Sequence, residues 1–399
     1  LRVFICEYVT GGGLLREPLP PGLAREGDLM LAALVKDLAV LPGIEIVLSR
    51  DARLPLGTHP NWFCIDTENR QAESPLPLRE RARVRGSQTP RASRTANTTS
   101  DTPSPCPSPT RGEGTRFEGL ASTHRGIGFS LLHPTDDAWE AWRDLIRAAD
   151  AVWPIAPETG GALARLTDLI LAENRILLGC RPDAVRLAAS KLATVRHLQA
   201  RGVPVVPTVP LGEVAALATP GPFVVKPDDG AGAAETRLFR DRDGLDRWAA
   251  RRGADGWIVQ PFIDGPAASL SLLCQDGAAW LLSCNAQRVE IRRDAFVYLG
   301  GIAGGREARR ALYEPIADAV AAAMPGLWGY AGVDLIDRPG GPAVLEVNPR
   351  LTTSYVALGR ALGANPAGLI LRLVADKLAA IFHDLAITPE AVDLEPLDA

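Results

Sequence analysis

Near its C-terminus the chain reads Val344-Leu345-Glu346-Val347-Asn348-Pro349-Arg350. Glu346 and Asn348 stand two positions apart, so on a strand their oxygens share one face while Leu345 and Val347 turn toward a core. Pro349 ends the strand and Arg350 follows. Hard oxygen ligands beside a guanidinium suit Mg²⁺ and phosphate rather than zinc or iron. A second acid, Asp334, lies between apolar neighbours in Gly332-Val333-Asp334-Leu335-Ile336, where burial is costly unless it is paired or bound to metal. The turn over 337–341 predicts that the two segments are antiparallel neighbours, with Asp334 beside Glu346. Either acid alone also fits a structural pairing with Arg350.

Two lysines precede this pair. Lys191 opens a helix, and Lys226 ends the strand Phe223-Val224-Val225-Lys226-Pro227. Behind Lys226 comes the turn Asp228-Asp229-Gly230-Ala231-Gly232-Ala233. Gly230 and Gly232 let backbone N–H groups close on a phosphate while the lysine supplies charge. The lysine precedes the glycines, so this is not a P-loop. In Val259-Gln260-Pro261-Phe262-Ile263-Asp264-Gly265 a strand loses its regular donors at Pro261. Backbone groups freed there suit the edge of a flat ring such as adenine, although the segment alone also reads as a hinge. Arg288, on a strand in the same half, is a second candidate after Arg350 for contacting a reacting anion, and reads equally well as a surface arginine.

The elements that must hold these residues follow from local pattern. Arg2 to Cys6 and Ile44 to Leu48 read as short buried strands, with Thr10-Gly11-Gly12-Gly13 as a loop and Asp28 capping the helix between them. This opening fits a parallel α/β domain. From about 71 to 125 the pattern dissolves into arginines and a Ser/Thr/Pro tract that cannot bury a core, so a disordered insertion is expected. Order returns with a helix over Asp137 to Ala149, the strand Ala151 to Ile155 and the turn Ala156-Pro157-Glu158-Thr159, a strand end of the kind where open α/β sheets place ligands. A small α/β module follows Arg181-Pro182-Asp183. Strands then dominate: Ser269 to Cys274, Ala278 to Cys284, Gln287 to Arg292, Gly329 to Ile336 and Ala343 to Val347.

With 399 residues the chain has room for two or three domains. A formal net charge of −4 offers no large basic field and argues against a nucleic-acid partner. The six cysteines include no CxxC pair, so reduced thiols are expected rather than a disulfide framework or a zinc site. Leu1 to Cys6 reads as a strand, not a leader, and no apolar run approaches the ~20 residues of a membrane helix. A cytoplasmic location with no membrane partner is expected.

In order, the pieces are a lysine, a lysine with a glycine loop, a hinge strand, an aspartate and Glu-x-Asn-Pro-Arg. That order resembles the ATP-grasp superfamily of carboxylate–amine and carboxylate–thiol ligases over about residues 184–375, with 1–182 resembling the family's preceding α/β domain. The resemblance implies an α/β fold of α+β modules. In it, a Rossmann-like pre-ATP-grasp domain (1–182, with the 71–125 insertion) precedes a small lid module (183–260) and a C-terminal sheet domain carrying the metal site (261–399). Within the superfamily, Glu7-Tyr8-Val9-Thr10-Gly11-Gly12-Gly13, Ile155-Ala156-Pro157-Glu158-Thr159 and Asn348-Pro349-Arg350-Leu351-Thr352-Thr353-Ser354-Tyr355 are most similar to the tyramine–L-glutamate ligase family of methanofuran biosynthesis.

The resemblance implies ATP bound by Lys191, Lys226, Gly230, Gly232, Gln260, Phe262, Ile263 and Asp264. It implies Mg²⁺, as two ions with Mn²⁺ as the alternative metal, on Asp334, Glu346 and Asn348. Many members carry a ribose-binding acid just after the hinge; here that place reads Pro266-Ala267-Ala268, so Asp264 is expected to substitute. Arg350, with Arg288, would stabilise an acyl phosphate made from a small-molecule carboxylate, glutamate in the closest family, before an amine attacks. Glu158 and Thr159 would meet the amine, and a loop over Gly300 to Gly305 would line its site. The alternatives are another ATP-grasp amino-acid or peptide ligase with a different acceptor, and a non-catalytic nucleotide-binding regulator. A dinucleotide-dependent oxidoreductase is disfavoured, because Gly11 to Gly13 lack the G-x-G-x-x-G spacing.

Overall fold

A computed structural model describes residues 1–54, 127–230, 235–382 and 389–394. The expected insertion at 71–125, and Gly232, lie outside the described residues. The first unit contains β1 (Arg2–Glu7), α1 (Pro21–Ala39), β2 (Glu45–Asp51), β3 (Ile127–Leu132), α2 (Ala138–Ala148), β4 (Ala151–Ile155), α3 (Ala162–Ala172) and β5 (Ile176–Leu177). Its five strands pair in parallel in the order β3-β2-β1-β4-β5. Val3 to Cys6 are wholly buried, as expected for a strand covered on both faces. Beyond β1 the chain turns at Val9–Gly13, where the carboxylate of Glu7 accepts from the Val9 and Thr10 N–H groups and the Thr10 hydroxyl.

Asp28 is not a helix cap. α1 begins seven residues earlier at Pro21, whose ring presets φ for a first turn, and the Asp28 carboxylate instead pairs with Arg50 of β2. Asp137 does cap α2, accepting from the N–H groups of Trp139 and Glu140.

After α4 (Pro182–Ala188) and α5 (Lys191–Gln199) comes a compact group: β6 (Val209–Pro210), β7 (Phe223–Pro227), β8 (Arg237–Phe239), α6 (Arg242–Arg252) and β9 (Trp257–Pro261). β7 pairs antiparallel with β8 and β9, and β9 with β6. Leu211, Val214, Phe223, Val225, Leu245 and Val259 make a core of their own beneath it. The helix expected to follow Ser190 is present, with Ser190 accepting from the Ala193 N–H as its cap.

The last part holds β10 (Ala267–Gln275), β11 (Ala278–Arg292), β12 (Ala295–Ala303), α7 (Arg310–Ala323), β13 (Gly329–Ile336), β14 (Ala343–Asn348), α8 (Tyr355–Leu362), α9 (Pro366–Arg372), α10 (Leu378–Phe382) and β15 (Val392–Asp393). The antiparallel order is β14-β13-β10-β11-β12; β15 pairs β12, and Ala295↔Arg237 links this sheet to the smaller one. Two expectations change here. The strands foreseen at 278–284 and 287–292 are one strand, β11, whose register against β12 shifts between Gln287 and Val289. Gly300 and Gly301 are not in a loop but on β12. A Cβ at Gly301 would lie 2.7 Å from the Ala286 carbonyl oxygen, so the glycine permits the close strand approach that the pairing requires.

The N-terminal unit is tied to the C-terminal helices. α1 packs against α8 and α9, and Leu31, Leu34, Leu358, Leu362 and Ile370 share one core, each buried leucine or isoleucine contributing about 1.5–3 kcal/mol. Asp37 of α1 accepts from the Tyr355 hydroxyl at 2.8 Å, and its own carbonyl accepts from Asn365 at 2.7 Å. Burial raises the Asp37 carboxyl from 3.8 to about 6, against the lowering effects of Tyr355 and Lys36. The folded state therefore holds this proton more tightly than the unfolded chain, and stability falls as pH rises from 3.8 to about 6. Asp37→Asn should match the parent in unfolding free energy below that window. Above it the variant should be more stable by roughly 2–3 kcal/mol. Urea denaturation at the two ends of the window measures the difference, and a pH-independent difference would refute this account of Asp37.

Candidate active site

The centre of the site is the β13–β14 ladder. Asp334 and Glu346 stand opposite each other in register, and the register shifts immediately afterwards, so that Leu335 pairs with Val344. Leu345 is the extra residue of a bulge. It is only partly buried and so departs from the core role read from strict alternation. Bulges re-aim side chains next to sites of this kind. Asn348 donates to Asp334 at 3.1 Å, and Gln287, at the register shift of β11, donates to its other oxygen at 2.9 Å.

Like charges directly across a ladder are unfavourable, and the two carboxyls respond in opposite directions. Burial, then Glu346, pushes the Asp334 carboxyl up, with Asn348 and Gln287 opposing. Burial also acts to raise Glu346, but Lys226 and Lys191 lead the groups that hold it below the usual carboxylate range. Lys191 lies 3.9 Å from Glu346 Oε2, and its ammonium donates to the carbonyls of Asp228, at 3.4 Å, and Gly230. Burial lowers the Lys226 ammonium, as does Lys191 beside it, while Glu346 works the other way. Two lysines thus face two carboxylates, one pair from the smaller module and its leading helix, the other from the large sheet.

Asp228 organises the start of α5. Its oxygens accept from the Ser190 hydroxyl and the Leu192 N–H, both at 2.7 Å, which fixes Lys191 at a helix N-terminus that favours negative charge. Asp229 accepts from the Gly160 N–H at 3.0 Å and so joins the turn behind β7 to the turn after β4. One hinge reading needs revision. The Gln260 side chain is buried and donates to the Thr208 hydroxyl at 2.8 Å, and the Phe262 N–H is taken by the Pro222 carbonyl at 2.8 Å. The Phe262 N–H is therefore not a free backbone donor, whereas the Gln260 contact engages its side chain only. Ile263 is partly buried and Asp264 exposed just beyond β9.

Arg350 is joined to Glu158 of the β4–α3 turn, its Nε donating to Oε2 at 3.1 Å. Burial lowers its guanidinium, but Glu158, Glu26 and Glu346 outweigh that and raise it. Arg288 goes elsewhere. It pairs with Asp393 of β15, and the neighbouring Gln287 takes the place beside Asp334. Sequence reading missed Gln287, Glu26, Asp228 and the Glu158–Arg350 pair. Only Glu158 carried a local signal, as a residue at a strand end.

Among the described residues no three His, Cys, Asp or Glu side chains group to hold a metal. Two opposed carboxylates and an amide nonetheless fit Mg²⁺, which takes few protein ligands and completes its shell with phosphate oxygens and water. An unmatched carboxyl pair with one member pushed up is a site that a cation would relieve.

Residues 188–354 match the model of an ATP-grasp domain, and residues 118–185 match that of a pre ATP-grasp 3 domain. The chain is 28% identical over 207 residues to a tyramine–L-glutamate ligase of Methanocaldococcus jannaschii, covering 51% of this chain and 56% of that protein. The corresponding ligase of Methanocaldococcus fervens is 27% identical over 212 residues, covering 52% and 61%. The matched region thus spans little more than half the length of these curated relatives. A solved structure assigned to the ATP-grasp superfamily, from Archaeoglobus fulgidus, superposes with a TM-score of 0.58 at 21% identity, covering 93% of this chain and 88% of that one. An L-amino acid ligase from Bacillus licheniformis gives 0.53 at 24%, covering 68% and 69%. At these identities the two structures speak for the fold.

Gln287 donates to the Asp334 carboxylate at 2.9 Å, and a residue that orients a candidate metal ligand in this way typically matters for metal affinity. Gln287→Leu is expected to weaken Mg²⁺ binding in the presence of ADP by roughly tenfold or more, read by isothermal titration. An unaltered affinity would reduce Gln287 to a packing residue.

Proposed function

Given that this chain joins a pre-ATP-grasp domain to an ATP-grasp domain, we propose that it is an ATP-dependent carboxylate–amine ligase that forms ADP and works through an acyl phosphate. The observation that carries the reading is the Asp334–Glu346 pair, set in register with Asn348 beside it and faced by Lys191 and Lys226.

In this reading Lys191 and Lys226 bind the phosphates, and the turn at Gly230 closes over them. Asp334, Glu346 and Asn348 would hold Mg²⁺, which when bound supplies positive charge to the phosphate oxygens. A carboxylate oxygen of the donor attacks the γ-phosphorus, the bond to the bridging oxygen breaks, and ADP leaves. The amine nitrogen then attacks the acyl carbon, the carbon–oxygen bond to the phosphoryl group breaks, and phosphate departs while the nitrogen loses its extra protons. Little of this needs covalent help from protein, so positioning and charge carry the rate. Arg350 would meet oxygens of the mixed anhydride through two N–H groups.

The relatives are named for tyramine and L-glutamate, and we carry that pair to this chain as its substrates, in a methanofuran-type pathway. A cytoplasmic location belongs to the same proposal: the described cysteines are free and buried, and no helix among the described residues is long and apolar enough to cross a membrane.

Phosphate release with ATP, glutamate and tyramine, compared with each single omission, tests the reading directly; release that is indifferent to both glutamate and amine would sink it. Glu346→Gln should abolish that release while the far-ultraviolet circular dichroism stays that of the parent, and full turnover would remove Glu346 from the metal site. For Arg350→Ala, nucleotide should still bind and ligation should fail by about a hundredfold or more. Near-normal ligation would refute the role given to Arg350.

A further inference from the structure

The face of the large sheet that carries the site does not end at the metal pair. Ser269 of β10 pairs with Asp334 on one side and with Asn285 of β11 on the other, so the three side chains share a face. Alternation along β11 places Gln287, Val289 and Ile291 there as well, in keeping with the 2.9 Å bond from Gln287 to Asp334. The register shift does not disturb this row. Between the Gln287↔Gly301 and Val289↔Tyr298 pairs, β12 carries two residues against one on β11, so the extra residue belongs to β12 and β11 stays regular. Directly paired residues also share a face, which adds Tyr298 opposite Val289 and Phe296 opposite Ile291. Two contacts agree with that placement of Tyr298. Its hydroxyl lies 3.4 Å from Thr353 Oγ1, just beyond Arg350 in the chain, and 3.3 Å from where a Cβ of Gly301 would stand. The ring therefore leans back along β12 toward Gln287.

The other face of this hairpin is polar. Arg288 pairs with Asp393, and Arg292 lies 2.9 Å from Glu290. Such alternation is that of a strand with one face covered, yet the apolar face is open. Val289 and Ile291 are 39% and 40% exposed, and Phe296 and Tyr298 are only partly buried. Where β12 parts from β8 past the Ala295↔Arg237 pair, a groove of about 450 Å³ runs against Phe296 and Tyr298, with Thr236 and Arg237 on its other wall. That volume falls within the roughly 300–1,000 Å³ of small-molecule sites. Single exposed apolar side chains are ordinary, but four in one patch mark a binding surface.

The patch begins one pleat from the reacting end, because Val289 follows Gln287 by two residues, about 7 Å along a strand. A group bound on it therefore belongs to a molecule whose other end reaches the metal pair and Arg350. Two branched aliphatic side chains against two aromatic rings make a flat surface that suits a flat apolar ring. None of the four is charged, so a carboxylate or ammonium would lose its hydration there without a partner.

We propose that Val289, Ile291, Phe296 and Tyr298 form the subsite for the side group of the acceptor and select an amine carried on a short arm with a flat apolar ring. This rests on the ligase reading above and assigns the residues that choose among amines.

The test uses the whole chain with MgATP and glutamate and compares phenethylamine with ethylamine, which share one ammonium chemistry and differ by the ring. The parent should prefer phenethylamine in kcat/KM by about tenfold or more, and in a variant carrying both Val289→Thr and Ile291→Thr that preference should fall by about tenfold. Threonine keeps the branched shape and the strand preference, so the hairpin should persist. Tyr298→Leu, on the partner strand, should lower the preference in the same direction. A preference absent from the parent, or unmoved in either variant, overturns the subsite. So does a rise in the KM for ATP with the preference unmoved, since the row would then carry the base of the nucleotide. Equal losses with both amines would make the hairpin a structural element and overturn the subsite too. Hydroxylamine traps an acyl phosphate as a hydroxamate, and no hydroxamate from the parent is a different failure, that of the ligase reading itself.

Discussion

Two carboxylates held opposite one another on adjacent strands set the conditions that the rest of this molecule meets. Asp334 and Glu346 face each other because β13 and β14 pair in that register, and a like-charged pair in a partly buried place needs positive charge nearby. The large sheet supplies amides to Asp334, from Asn348 and Gln287, and Arg350 just beyond β14 acts on Glu346 after the lysines. The leading positive charges are Lys226 at the end of β7 and Lys191 at the start of α5, so the smaller module and its leading helix complete the electrostatics of the large sheet. Asp228 serves the same end by fixing the helix start that carries Lys191.

A second dependence runs through Arg350. It leaves the end of β14 to meet Glu158 from the parallel sheet, two parts of the chain 192 residues apart in sequence. A buried ion pair of this kind adds little net stability, since desolvation offsets most of the attraction. Its effect is positional: it joins the guanidinium just beyond β14 to the turn after β4 of the first unit. The affinity of the two units comes from elsewhere, in the apolar contact of α1 with α8 and α9, reinforced by Asp37, Tyr355 and Asn365.

Local pattern served well where the governing physics is local. The strands at Ala151–Ile155 and Phe223–Pro227 were legible to the residue, and the helix after Ser190 carried its cap in plain view. The pattern misled where a competing local signal won. Pro21, not Asp28, starts α1. The segments 278–284 and 287–292, read as two strands, are one, with its register against β12 shifting between Gln287 and Val289. The glycines after Leu299 read as loop, yet they sit on β12 where backbones approach closely. At the hinge the exposed-donor argument passed over what the fold does with one of those donors: the Pro222 carbonyl takes the Phe262 N–H.

From sequence alone came the residue types and spacing of Asp334, Glu346, Asn348, Lys191 and Lys226, and the short turn that makes the two acidic strands neighbours. Those follow from strand period and turn length, which neighbouring residues determine by themselves. Only the tertiary structure decided that Leu345 would bulge, that Gln287 rather than Arg288 would face Asp334, and that Glu158 would meet Arg350. Each of these depends on how separate sheets and helices dock. Docking is governed by the summed burial of many side chains far apart in the chain, and no short stretch of residues records it.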